Sequence, residues 1–330
     1  MNKLAITVAC VVMACTSAQA YELGSSQSVQ KPGITLGGGT AASPPPGIYM
    51  IDQVWTFQGV VAGPGNALLN PSGATNTGAQ TAFGGAAFLF APGWEFLGAK
   101  YTAVVIPAFV MKSVGVPLNV QASGMGNLYV VPGELSWKLG DSGFFVKTGF
   151  GMYLPTGTIT GVAGTGNVGR PWYTFVPQLA VSYLKDGWNF TTYLYQEMNT
   201  ENSITKYRGG NVLHADFTAT KSIGKWRFGP VGYYVGQVTN DRSSPYYGNA
   251  VNVNKYDIWA AGGLIGYDFG TAALNVWALQ EVSAHASGGR LVGGIDSATI
   301  PRGFSVLGSL SYRLWAPEEP APTKLPFTRK

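Results

Sequence analysis

Between Gly47 and Trp315 the chain is a run of about twelve extended segments whose connections alternate between short and long, and few architectures permit that rhythm. The short connections fall at Pro92-Gly93-Trp94, Gly140-Asp141-Ser142, Lys185-Asp186-Gly187, Gly224-Lys225 and Phe269-Gly270-Thr271. In each, Gly, Asp or Pro supplies the backbone geometry of a tight turn. The long ones cover roughly residues 60–80, 112–124, 157–170, 199–212, 240–255 and 286–302. Five short turns and six long loops join twelve strands and bring both ends of the run to one side, as in barrels delivered to an outer membrane from the periplasm. The expected fold is all-β: a transmembrane antiparallel β-barrel of outer-membrane type over residues 47–315, with the short turns and both termini in the periplasm.

A barrel strand alternates between lipid and lumen, so its residues should sort with period two. Leu128 to Leu139 places Tyr129, Val131, Leu135, Trp137 and Leu139 against Glu134, Ser136 and Lys138. Pro171 to Leu184 sets Tyr173, Phe175, Leu179, Val181 and Tyr183 against Thr174, Gln178 and Ser182. The last strand opposes Phe304, Val306, Leu310, Tyr312 and Leu314 to Ser305, Ser309, Ser311 and Arg313. Thr81 to Ala91 and Tyr256 to Asp268 carry small residues on both faces and leave their facing open. Trp94, Trp137, Trp172, Trp188, Trp226, Trp259 and Trp315 all stand near strand ends, the placement expected of interfacial girdles.

Composition favours lipid over water as the outer solvent. Charged residues are 11% of the chain, against about 25% in a soluble domain, and the 46 glycines are about twice the ordinary share. A soluble β-sandwich shares the strand period, but its exposed face would have to be polar. The apolar face here offers Tyr, Trp, Phe and Val with almost no charge. The basic residues are scattered, and the absence of a polybasic patch argues against a nucleic-acid partner.

The first twenty residues read as an export signal. Lys3 gives a positive start, Leu4 to Ala14 is an apolar run of about eleven residues, and Ala18-Gln19-Ala20 fits a small-x-small cleavage site ahead of Tyr21. The run is too short for a bilayer-spanning helix, which needs about twenty residues. A lipoprotein signal ending at Cys15 is the rival reading, in which Met13 fits poorly. Both cysteines, Cys10 and Cys15, lie within the signal, so a mature chain from Tyr21 holds no disulfide or thiolate chemistry.

Residues 21–46 are rich in Gly and Pro without apolar alternation and read as an extended polar segment, either a plug entering the lumen or a periplasmic extension. A barrel of twelve strands lies between one filled by its own side chains and one that encloses a water channel, which leaves a narrow bore. His214 and Asp216 share a face of the eighth strand and Glu197 lies on the polar face of the seventh, so the three should project inward as a gate, a ligand contact or an ordinary lumen network. Lys100, Lys138, Lys147, Arg227 and Arg313 are expected to face the lumen too, balanced by Glu134 and Glu281, with Gln178 and Gln237 as further polar lumen candidates. A barrel hydrolase needs a nucleophile beside an oriented base, and neither His214 nor His285 stands in such a motif. Clustered metal ligands are equally lacking in the sequence, and no cofactor is expected.

The run from Asn199 to His214, followed by Gly229-Pro-Val-Gly-Tyr-Tyr234 and Gln237-Val-Thr-Asn-Asp241, resembles the outer-membrane family of phenol meta-pathway degradation, also called SphA-like. Pro44-Pro-Pro-Gly-Ile-Tyr49, Pro155-Thr156-Gly157, and Gly169-Arg170 ahead of Trp172 and Tyr173 extend the resemblance over nearly the whole mature chain. Lys206 departs from it, standing where an acidic residue commonly precedes the tyrosine, as does a tail over 316–330, expected in the periplasm. The resemblance implies a bacterial outer-membrane barrel that passes small hydrophobic or aromatic compounds without a cofactor, or one that binds or senses a sphingoid-type lipid without flux. Its expected partners are that small molecule or lipid, the lipids of the outer membrane and the barrel-insertion machinery.

Overall fold

The computed structural model describes residues 28–73, 76–161, 167–249, 255–289, 291–292 and 294–318. The signal, its cleavage site, residues 21–27 and most of the tail lie outside them. Twelve strands form one closed antiparallel barrel. They are β1 (Gly47–Ala62), β2 (Gly78–Ala91), β3 (Ala99–Ile106 continuing as Ala108–Val114), β4 (Val120–Met125 continuing as Leu128–Lys138), β5 (Phe144–Leu154) and β6 (Thr174–Lys185). The circuit goes on through β7 (Trp188–Asn199), β8 (Val212–Ile223), β9 (Trp226–Gln237), β10 (Lys255–Asp268), β11 (Ala272–Ser287) and β12 (Ile300–Trp315). Closure comes from β12 on β1, whose ladder runs from Ile48 opposite Trp315 to Ala62 opposite Ile300. Closure leaves neither strand as an edge, which is what lets a sheet live in lipid.

Four of the five short turns are where the sequence places them; the first is instead a seven-residue connection over 92–98, in which Glu95 and Phe96 pair back onto Lys100 and Ala99 and the tight turn falls at Leu97-Gly98. Asp186 and Gly187 both adopt positive φ, 52° and 75°, matching the type I′ turn whose twist suits a two-residue hairpin. Aromatic side chains ring this end. Trp188 stacks on Phe190 at 5.1 Å, Trp226 meets Tyr267 edge-on at 4.8 Å, and Trp94 stacks on Tyr101 at 5.6 Å. Above the ring the outward face is apolar, including Leu179, Val181, Leu194, Phe217, Ile265, Val276 and Val306.

Four further expectations need correction. The predicted loop over 112–124 shrinks to 115–119, because β3 and β4 stay paired from Phe109 opposite Met125 to Val114 opposite Val120. Ser113, Gln121 and Ser123 made that hairpin look like a loop. The facing of β4 is the second correction: Tyr129 and Val131 are buried and share the lumen side with Glu134 and Ser136. An extra residue between Val131 and Glu134 shifts the register there and inverts the alternation. Trp172 is the third. It is buried, not in a girdle, and donates its indole N–H to Asn199 Oδ1 at 3.2 Å. Fourth, residues 31–41 are a succession of turns, not an extended stretch.

Leu179 sits mid-strand on β6 with 43% of its surface exposed to the lipid side. Leu179→Arg should therefore cost about 2–4 kcal/mol of barrel stability. Urea titration followed by heat-modifiable migration would read this as a lowered midpoint, and an unshifted midpoint would mean that the face does not meet lipid.

Candidate functional site

Residues 28–46 descend through the lumen along inward side chains of β6 to β9. At the long-loop end, Glu197 Oε2 accepts the backbone N–H of Val29 at 2.8 Å, while its Oε1 accepts the N–H of Gln30 at 2.9 Å and the Ser28 hydroxyl at 3.0 Å. His214 Nε2 lies 2.9 Å from Glu197 Oε1, with the Tyr195 ring stacked on the imidazole at 4.5 Å. Two residues down β8, Asp216 accepts the N–H groups of Gly33 and Thr35 and the Thr35 hydroxyl. Two further on, the Thr218 hydroxyl accepts from Gly37 N–H at 3.0 Å. The period of two along the strand thus presents successive acceptors to a backbone that carries few of its own hydrogen bonds.

Opposite partners complete the cradle. Trp277 Nε1 donates to Gly33 O at 3.1 Å, Gln53 Nε2 to Ile34 O at 2.9 Å and Arg227 Nη1 to Gly37 O at 3.2 Å. Near the short-turn end Ser136 donates to Ala41 O, and Ser182 accepts from Ala41 N–H. Leu36 is buried among Tyr233, Leu264, Trp277 and Leu279. Gly33 and Gly37 hold φ of +74° and +81°, and a Cβ on Gly37 would stand 2.3 Å from Leu264. Both the backbone shape and the close approach therefore call for glycine.

A second cluster joins β3 to β7. Glu134 accepts from Lys147 Nζ at 3.0 Å, Thr102 Oγ1 at 3.0 Å and Gln178 Nε2 at 2.9 Å, while Gln178 Oε1 receives the Tyr193 and Tyr129 hydroxyls. Three donors surround this buried carboxylate, and the Tyr129 and Tyr193 hydroxyls hold one of them, Gln178, in place; paired and hydrogen-bonded in this way a buried charge is tolerated.

Because the segment leans on β6 to β9, space remains on the other side. A cavity of about 560 Å³ lies between it and the wall of β1 to β5. Ile51, Phe83, Leu89, Val104, Ile106, Val110, Val131, Ile34 and Leu36 make its lining largely apolar, with Lys112, Arg170, Glu134 and Lys147 among the polar groups.

Over the long-loop end, Asp241 ties two loops together. It accepts the Tyr207 hydroxyl at 2.6 Å, Gly210 N–H at 2.7 Å and Gln237 Nε2 at 2.8 Å. Burial pushes its carboxyl up to about 6, against the pull of these three donors. A raised carboxyl pKa means that the closed loops hold the proton more tightly than open ones. Their ordering is then fullest at low pH and weakens as pH rises from the ordinary carboxylate range to about 6. Hydrogen exchange at Gly210 should accordingly quicken between pH 4.5 and 6.5 beyond its intrinsic base catalysis, and Asp241→Asn should abolish that excess.

Of the residues singled out in the sequence, Glu197, His214 and Asp216 meet at the segment, Glu134, Lys147 and Gln178 form the second cluster, Arg227 touches Gly37, and Gln237 belongs to the loop network. Lys100, Lys138 and Arg313 stand exposed at the short-turn end, Lys138 paired with Asp141 at 3.4 Å. Glu281 accepts from Tyr233 and from Gly303 N–H, away from the segment. Sequence reasoning set Tyr129 on the lipid face and did not single out Tyr153, Tyr193, Tyr195 and Trp277, or Lys112 and Arg170 beside the cavity, as site residues.

A family model described as "Putative MetA-pathway of phenol degradation" matches residues 61–287. Among solved structures, the COG4313 outer membrane channel from Pseudomonas putida F1 superposes with a TM-score of 0.67 at 10% identity, covering 83% of this chain and 98% of that one. The TodX deltaS2S3 mutant monoaromatic hydrocarbon channel is a looser likeness, with a TM-score of 0.43 at 8% identity over 91% of this chain and 97% of that one. No curated protein matches by sequence. Twelve closed strands with an apolar outer face and an aromatic ring at the short-turn end define a barrel of the bacterial outer membrane, and since the family model spans well over half of it, the chain belongs to that phenol-degradation family.

Proposed function

We propose that the protein is a passive channel for small hydrophobic or aromatic compounds, with residues 28–46 forming one wall of the route and the barrel the other. The observation that supports this reading is the apolar cavity beside the segment. At about 560 Å³ it falls within the 300–1,000 Å³ typical of small-molecule sites. Its aliphatic and aromatic side chains suit the body of an apolar guest. The segment's hydrogen bonds to Glu197, Asp216 and Thr218 fix the width of the passage. Orientation follows the rule for such barrels, with long loops outside and short turns in the periplasm.

Uptake of benzyl alcohol by cells lacking the protein, with and without a plasmid copy, tests the reading. Faster uptake with the plasmid is expected. Saturable binding of benzyl alcohol to the purified barrel with unchanged uptake would overturn the channel and favour a sensing role.

A further inference from the structure

Gln53 on β1, Ser309 on β12 and Asn275 on β11 stand directly opposite one another across three neighbouring strands, and all three line the cavity. Asn275 and Ser309 are each only 8% exposed, so what they meet is decided inside the barrel. Among the described residues neither side chain has a hydrogen-bond partner, and the Gln53 amide spends one N–H on Ile34 O at 2.9 Å while its carbonyl oxygen receives no donor. Buried polar groups are as a rule hydrogen-bonded. Three that open on a cavity without protein partners are satisfied by what the cavity contains.

Neighbouring residues fix the shape of this row. Directly opposed side chains on adjacent antiparallel strands start about 5 Å apart, so the three cover roughly 10 Å of wall. Asn275 fits between two glycines: a Cβ on Gly37 of the segment would stand 3.9 Å from its Cγ, and one on Gly266 of β10 would stand 2.3 Å from its Oδ1. A side chain at Gly266 would displace the amide. At its other end the row reaches Gly85 of β2, opposite Gln53, where a Cβ would stand 2.7 Å from Phe83 Cζ. The Phe83 ring therefore lies over the place where a fourth side chain would be, and an apolar surface begins where the polar one ends. One step toward the long loops, Trp277 brings a second aromatic ring to the cavity.

None of the three polar side chains carries a charge. The Asn275 amide supplies a donor and an acceptor whichever way it is turned, and the Ser309 hydroxyl rotates to give either. Such a row meets an uncharged oxygen without requiring a counter-ion, while the aromatic and aliphatic side chains beside it take the rest of the guest.

We propose that Gln53, Ser309 and Asn275 form a subsite for the oxygen of small apolar compounds that carry one hydroxyl or carbonyl group, with the apolar body against the Phe83 ring. This deepens the channel reading and rests on it for the route, although binding itself requires no flux.

The test uses benzyl alcohol, acetophenone and ethylbenzene, which share a ring and differ in the oxygen. Binding to the purified full-length barrel is measured by equilibrium dialysis, each compound being compared between variants so that its uptake by detergent cancels. Asn275→Leu with Ser309→Ala should weaken benzyl alcohol and acetophenone roughly three- to tenfold, the scale of a net neutral hydrogen bond, and leave ethylbenzene unchanged or tighter. Ser309→Thr keeps the hydroxyl and should retain most of the affinity. If the double variant does not reach the folded, heat-modifiable form, Ser309→Ala alone decides, with at least a twofold loss confined to the two oxygen-bearing compounds. Equal losses for all three, or no loss for the oxygen-bearing pair, would overturn the subsite. Uptake by cells with and without the plasmid copy separates it from the channel. Selective loss of affinity with plasmid-independent uptake leaves the subsite standing and defeats the channel, whereas plasmid-dependent uptake without selective loss does the reverse.

Discussion

Deleting residues 28–42 while keeping the export signal should raise single-channel conductance severalfold and leave the barrel folded. The segment crosses the lumen from Glu197 to Ser136 and fills the half of the bore next to β6 to β9. Twelve strands enclose more space than their own side chains fill, so the vacated half should hydrate and conduct. The strands should persist because their ladders close through β12 on β1 without any contribution from the segment. Glu197 and Asp216 lose their backbone donors in the deletion, but lumen water can replace them. Planar-bilayer recordings of wild type and deletion decide the matter, with heat-modifiable migration reporting the fold. Equal conductance from a folded deletion would mean that the segment does not limit the passage.

Glu197→Ala should produce a channel that flickers between the wild-type level and a larger one. The carboxylate serves three donors of the segment, Ser28 Oγ, Val29 N–H and Gln30 N–H, as well as His214. Ser28 Oγ keeps Gln30 O as an acceptor, but the two backbone N–H groups lose theirs; at roughly 1–3 kcal/mol each they offset what a short segment gains from one buried leucine. The upper end of the segment should detach and seek water, while Asp216 and Thr218 still hold its middle. Glu197→Ala combined with Asp216→Ala should approach the deletion. Glu281→Ala removes a lumen carboxylate that bonds Tyr233 and Gly303 and does not touch the segment, so it should leave the recordings steady. Steady single-level openings from Glu197→Ala would show that the cradle is redundant at this point.

Both expectations depend on one residue pattern that was visible in the chain. His214 and Asp216 share a face of β8, and their polarity pointed to an enclosed side; Thr218 continues that face. What they bind was not visible, because the partners are backbone N–H groups more than 160 residues earlier in the chain. Side-chain chemistry announces an acceptor, whereas a backbone donor looks the same in every residue. The aromatic lumen residues were obscured for another reason. Tyr and Trp suit a lipid interface and a buried polar site equally well, since each has an apolar body and a donor at its edge. Tyr129 went to the wrong side, and Trp172 was read as a girdle residue.

Strand number, four of the five tight turns and the membrane as outer solvent were legible in the chain. These follow from features written locally, a period of two within each strand, glycine and aspartate at each turn, and too little charge for a soluble surface. Tertiary structure alone decided the interior. The bulge between Val131 and Glu134 inverts one strand's facing by a single residue, a shift that no periodic pattern records. The union of Glu134, Lys147 and Gln178 needs three strands in register, and the cavity exists only because the segment packs against one wall and leaves the other bare. Each of these is a relation between distant parts of the chain, fixed when the barrel closes and the lumen has to be filled.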